Sequence, residues 1–231
     1  MSVDALADLT RLARSYREDP ARTPGYAKRM RPATSGHDGL RSASVLVLFG
    51  VLDDVPAKTN RPGVVPEDLD LLLVLRADTL RHHAGEIAFP GGGADPGDAD
   101  VVATALREAE EETGLDPDGV RILGVLPQAP TVSRFAVTPV LGWWERQSPI
   151  GVVDLGESAQ VFRAPVADLV DPAVRGVTRL QRRGVTLVMD AFRLDQGLLW
   201  GFTAGIVSSL LTELGWDQDW DRDREFPVPG L

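Results

Sequence analysis

The chain has 231 residues, 43% of them apolar, enough for one sizeable domain with appendages and short of two full ones. It contains no cysteine, which excludes disulfides, thiol catalysis and Cys-based metal sites and fits a cytoplasmic protein. A formal net charge of −10 argues against nucleic acid or an anionic membrane as partner, and leaves room for a small anionic substrate where cations reverse the local field.

Residues 3–18 place Val3, Leu6, Leu9, Leu12 and Ala13 at helical spacing and predict a first helix, mixed in charge and unlike a signal peptide. Residues 19–40, rich in Pro, Arg and Gly, read as an extended connection. SASVLVLFGVL (42–52) and LDLLLVLRA (69–77) are continuous apolar runs of buried-strand length, too short to span a bilayer, with loop chemistry over 53–68 between them. GEIAFP (85–90) predicts a short third strand, and GGGADPGDAD a turn-rich loop. An acidic helix is expected over 99–113, stopped by Gly114. RILGVLPQA (121–129), FAVTPVLGWW (135–144) and AQVFRAPV (159–166) read as strands, and VADLVDP as a short helix. GVTLVMDAFRL (184–194) and GLLWGFT (197–203) predict a hairpin, before a last helix over 204–214 and a polar tail. Strands on both sides of one helix, without βαβ alternation or internal repeat, imply a mixed sheet sandwiched by helices.

The acidic helix carries the chemistry. At about 100° per residue, Glu108, Glu111 and Glu112 share an arc of roughly 100°, while Val102, Leu106, Ala109 and Thr113 form the core stripe opposite. Glu110 falls off the arc. Neighbouring carboxylates repel each other, and an exposed acidic face is the plain alternative. Converging carboxylates are also what a hard divalent cation such as Mg²⁺ or Mn²⁺ needs.

Gly92, five residues, Asp98, then Arg107-Glu108-Ala109-Glu110-Glu111-Glu112-Thr113-Gly114-Leu115 resembles the Nudix box, G-x5-E-x7-R-E-U-x-E-E-x-G-U. Asp98 stands where the box has Glu, and eight residues rather than seven separate it from Arg107. Upstream, Arg76-Ala77, three residues, Arg81, three residues, Gly85, three residues, then Phe89-Pro90-Gly91-Gly92 is similar to the signature of the coenzyme A pyrophosphatase branch of that family. Leu199-Trp200-Gly201-Phe202-Thr203-Ala204 is similar to a further family element.

The resemblance implies a Nudix α/β/α sandwich of α/β class, with a mixed β-sheet and a loop–helix–loop Nudix box. It covers a domain expected over 41–215; outside the resemblance, the residues themselves read as an N-terminal helix and extended segment (1–40) packed on that domain and a polar C-terminal tail (216–231). The implied reaction is metal-dependent hydrolysis of the diphosphate of coenzyme A and acyl-coenzyme A to 3′,5′-ADP and (acyl-)4′-phosphopantetheine. The alternatives are another nucleoside diphosphate derivative such as ADP-ribose, and a nucleotide-sensing domain without turnover. Glu108, Glu111 and Glu112, with the Gly92 carbonyl, are the expected ligands of Mg²⁺ or Mn²⁺. Glu111 is the candidate general base and Glu157 the runner-up, against the plain reading of Glu157 as a solvated loop residue. Arg107 is expected to orient a carboxylate of the site, the alternative being a surface salt bridge. Arg76 and Arg81 are the expected phosphate contacts, since guanidinium binds phosphate bidentately. His82 and His83 form a loop pair of the kind that is ordinarily just solvated. Trp143, Trp144 and Trp200 are expected in the core. The expected partner is a small molecule; oligomeric state, including a homodimer, is left open.

Overall fold

The computed structural model describes residues 4–29, 39–51, 57–58, 65–66, 68–80, 83–131, 133–182 and 184–229. Most of the 53–68 loop, and with it Arg81 and His82, lies outside the described residues.

A mixed sheet forms the middle layer. Strand β1 (Arg41–Val51) lies between β2 (Leu69–Arg76), antiparallel to it, and β7 (Phe135–Trp144), parallel to it. The short β3 (Ile87–Ala88) and β8 (Ser158–Pro165) pair with β2, β4 (Gly91–Gly93) with β1, and β5 (Val120–Val125) and β6 (Ala129–Pro130) with β7. Successive side chains point to opposite faces, and both faces are covered, which is why β1 and β2 read as continuous apolar runs. Val47, Phe49, Leu69, Leu71 and Leu73 enter a large core beneath α1 (Ala5–Glu18), α2 (Gly25–Arg29) and α5 (Gly201–Leu214). Leu46, Leu48, Leu72, Val140 and Trp144 enter a smaller one beneath α3 (Val101–Thr113). The expected α/β/α sandwich is therefore present.

Four elements differ from expectation. The connection after α1 contains α2, a single turn too short to leave a hydrophobic period, anchored by buried Tyr26, whose hydroxyl donates to the Pro127 carbonyl at 2.6 Å. The glycine run is a strand rather than only a turn: β4 pairs with Ala43–Val45 of β1. The predicted hairpin of β10 (Val185–Leu194) and β11 (Gly197–Leu199) is present but gains β9 (Arg175–Arg182), whose RGVTRLQR sequence carries no strand pattern and is held by its ladder to β10. Finally, α5 begins at Gly201 and so shortens the last strand. Trp144 is buried in the smaller core, while Trp143 and Trp200 are half-buried. In the C-terminal segment Trp216, Trp220 and Phe226 are buried, and Phe226 N–H donates to the Val177 carbonyl on β9. After α5 comes no further helix among the described residues, and none of the described helices is long and apolar enough to cross a membrane.

Candidate active site

Asp100 starts α3 by accepting hydrogen bonds from the Val102 and Ala103 amides, both 2.9 Å, and Gly114 ends it with φ 70°. Ala105, Ala109 and Thr113 lie buried against the sheet, with Val102 and Leu106 packed half-buried beside them. This is the expected stripe, with Ala105 added to it. The acidic arc straddles the edge of that contact. Glu112 is 5% exposed, Glu108 18% and Glu111 57%, and Glu110 points to solvent.

The glycine strand is laid directly over this arc. Gly91 N–H donates to Glu112 Oε2 at 3.1 Å. At Gly92 a Cβ would stand 2.4 Å from Glu108 Oε2, so a side chain fits there only if that carboxylate moves. The sequence contains the glycines but gives no sign that a backbone amide would serve as a carboxylate donor.

Arg107 ties loop and helix together. Its Nε and Nη2 bond Asp98 Oδ1 and Oδ2 at 2.9 and 3.0 Å, and Nη2 also reaches the Gly93 carbonyl at 3.0 Å. Its Nη1 bonds Glu108 Oε1 and Glu111 Oε2, each at 3.0 Å, so both carboxylates converge on one nitrogen. Asp98 further accepts from the Asp95 amide and the Thr104 hydroxyl. These bonds, the Arg107 ones first, hold its carboxyl well below the usual range.

The opposite shift marks the helix carboxylates. Burial pushes Glu112 up to about 7, only partly offset by the Gly91 amide and Arg76, while Glu108 and Glu157 add to the rise. Burial also raises Glu108, against the pull of Arg107. A divalent cation would supply the charge these groups lack, and every donor in the set is a hard oxygen. Among the described residues no three acidic or histidine side chains meet in a metal-holding geometry; Arg107, Arg76 and the Gly91 amide contact the carboxylates.

The remaining expected residues take varied places. Arg76, at the end of β2, turns its Nη1 to within 3.5 Å of Glu112 Oε1, and its buried Nε has no hydrogen-bond partner among the described residues. Arg81 and His82 are outside the described residues. Glu157 is an exposed loop residue whose carbonyl accepts from the Ala77 amide at 2.9 Å, and its charge reaches Glu112. His83 is 42% exposed, and its Nδ1 lies 2.9 Å from Glu86 Oε2. Sequence reasoning did not single out Glu86; the three-residue separation across a glycine-containing turn was the available signal.

The NUDIX domain family matches residues 58–138. A protein of Cronobacter sakazakii named "Uncharacterized Nudix hydrolase NudL" is 40% identical over 154 residues, spanning 67% of this chain and 80% of the relative. Its namesake in Shigella boydii serotype 4 is 39% identical over 145 residues, 63% of this chain and 75% of that one. Among solved structures, the Nudix hydrolase RenU of M. smegmatis is 16% identical with a TM-score of 0.49, covering 79% of this chain and 90% of its own.

Proposed function

The chain belongs to the Nudix hydrolase family, and we propose that within it the substrate is coenzyme A and its acyl esters, cleaved to 3′,5′-ADP and (acyl-)4′-phosphopantetheine. The observation that carries this reading is the docking of the branch-like signature on the acidic helix. Its Gly91-Gly92 end lies against Glu112 and Glu108, and its Arg76 faces Glu112. The domain proper is assigned to 41–215, with 1–40 and 216–231 as flanking segments.

Glu108, Glu111 and Glu112, with the Gly92 carbonyl, would hold Mg²⁺ or Mn²⁺. Such ions clamp phosphate oxygens and make water a better nucleophile at neutral pH. The chain's own groups do the rest. Glu111, the most exposed of the three, takes a proton from water as its oxygen forms a bond to phosphorus and the P–O–P bond breaks. Glu157, within electrostatic reach of Glu112, is the second candidate for that proton. Arg107 orients Glu108 and Glu111. Arg76 and Arg81 are assigned to substrate oxygens, Arg76 from its position beside Glu112.

The test is product analysis by mass after incubating the full chain with coenzyme A, ADP-ribose and NADH, each with Mg²⁺ and with Mn²⁺. Release of 3′,5′-ADP from coenzyme A is the expected result. ADP-ribose cleavage with coenzyme A untouched would reject the branch and leave the family.

A further inference from the structure

An anionic diphosphate must approach a surface that already carries Glu108, Glu111, Glu112 and Glu157. Of the described arginines, Arg107 is taken up by Asp98, Glu108 and Glu111, while Arg76 approaches Glu112 only to 3.5 Å through Nη1 and keeps capacity for a substrate oxygen. A further cationic group stands on the turn between β2 and β3. His83 has φ 58°, one of two non-glycine residues with positive φ among the described residues. Histidine tolerates this conformation better than most side chains. The turn is closed on Arg76, since Arg76 N–H donates to the Glu86 carbonyl at 3.0 Å and Glu86 N–H to the His83 carbonyl at 3.3 Å. Within it, His83 Nδ1 and Glu86 Oε2 are 2.9 Å apart, with the imidazole 42% exposed.

The imidazole nitrogens lie on different sides of the ring. A bond from Nδ1–H to Glu86 fixes ring orientation and tautomer and leaves Nε2 for another partner. The turn that carries the ring closes through its backbone on Arg76, the arginine that faces Glu112. Among the described residues, Glu86 favours the imidazolium and Arg76 opposes it.

We infer that His83, oriented by Glu86, is a substrate-binding residue whose protonated Nε2 donates a hydrogen bond to a diphosphate oxygen beside Arg76. This rests on the diphosphatase reading of the site but not on coenzyme A as the substrate. Glu86 is then a positioning residue that acts through the ring.

The test uses full-length protein with ¹³C-labelled histidine, which has three His residues in all. The probe is methylenediphosphonate, a diphosphate that cannot be hydrolysed at its bridge, added with Mg²⁺. His83→Asn identifies the His83 resonance while retaining a residue at ease with positive φ. The expected result is an upward move of the His83 titration midpoint when the probe binds, and a lower starting midpoint in Glu86→Gln. Calorimetry should show His83→Asn weakening the probe about 10-fold or more, the range of one charge-assisted hydrogen bond. An unchanged midpoint with the probe bound, equal affinity in His83→Asn, or no binding to the wild-type chain each overturns the inference. A responding His83 in a protein that leaves coenzyme A intact refutes the coenzyme A reading alone.

Discussion

Arg107 and Asp98 meet in a two-pronged bond, Nε to Oδ1 at 2.9 Å and Nη2 to Oδ2 at 3.0 Å, across nine positions of sequence. The departure of this box from its family pattern therefore has a physical outcome. A shorter acid, placed one residue further from the arginine, still presents both oxygens to the guanidinium fork. The pairing leaves Nη1 free to gather Glu108 and Glu111. Lysine cannot make that fork. Arg107→Lys and Asp98→Asn should each reduce turnover by roughly 10- to 100-fold, the usual cost of losing a group that orients metal ligands. Circular dichroism should stay unchanged in both. A fully active Arg107→Lys would demote the clamp to a surface ion pair.

Glu111→Gln and Glu112→Gln should separate activity from stability. Each removes a proposed metal ligand, and loss of the proton acceptor at Glu111 alone is worth on the order of 10²- to 10⁴-fold. The fold should not suffer. Burial disfavours the charged form of Glu112, and Glu108 and Glu157 add to that against the Gly91 amide and Arg76, so a neutral amide removes a net cost and the melting temperature in EDTA should hold or rise. Normal turnover of both variants at saturating Mg²⁺ would remove these residues from the metal site.

Gly91 and Gly92 should respond to alanine in opposite ways. At Gly91 a Cβ would lie 2.4 Å from the Ser44 carbonyl and 2.6 Å from Val45 Cα, both backbone atoms. Gly91→Ala must push β4 off β1 and cost on the order of 1–3 kcal/mol by overpacking. At Gly92 the obstacle is the Glu108 carboxylate, which can swing aside. Gly92→Ala should keep its denaturation midpoint while losing activity and metal affinity. Equal destabilisation by both would show that the Glu108 contact is only packing.

The helix face was legible because two signals agreed: a 3.6-residue period that separates Ala109 and Thr113 from Glu108 and Glu111, and the box residues themselves. The sandwich followed from the apolar runs of β1 and β2, which need cover on both faces. What lay hidden was non-local. No local pattern says that Gly91–Gly93 will pair with Ala43–Val45, or that the Gly91 amide will serve Glu112. The motif marks Arg76 as a phosphate contact, but its approach to Glu112 depends on how β2 ends against α3. Likewise, β9 has no apolar alternation and exists through its ladder with β10.

Coenzyme A carries a 3′-phosphate that 3′-dephospho-coenzyme A lacks, and Arg81 is proposed to meet it. A charge-assisted hydrogen bond contributes roughly 1.5–3 kcal/mol. Arg81→Ala should therefore reduce kcat/KM for coenzyme A by on the order of 10- to 150-fold more than for the dephospho compound. Equal losses on both substrates would move Arg81 to the diphosphate or to a structural role.

Asp70 supplies a prediction about pH rather than catalysis. It sits on β2, 1% exposed, and neither carboxylate oxygen has a hydrogen-bond partner among the described residues. Burial pushes it up to about 7 from an ordinary 3.8; Arg163 opposes the shift, and Asp68 and Asp168 reinforce it. Because the folded state binds this proton more tightly than the unfolded chain, its contribution is fully present below about pH 4. It is lost as pH rises through the window to about 7. At pH 8 the ionised, unpartnered carboxylate weakens the fold by up to a few kcal/mol. Asp70→Asn removes the ionisation at little change in shape. Its denaturation midpoint should exceed that of the parent at pH 8 and approach it at pH 4, with the difference opening between those values. A variant no more stable than the parent at pH 8 would mean that Arg163 already compensates the charge in full.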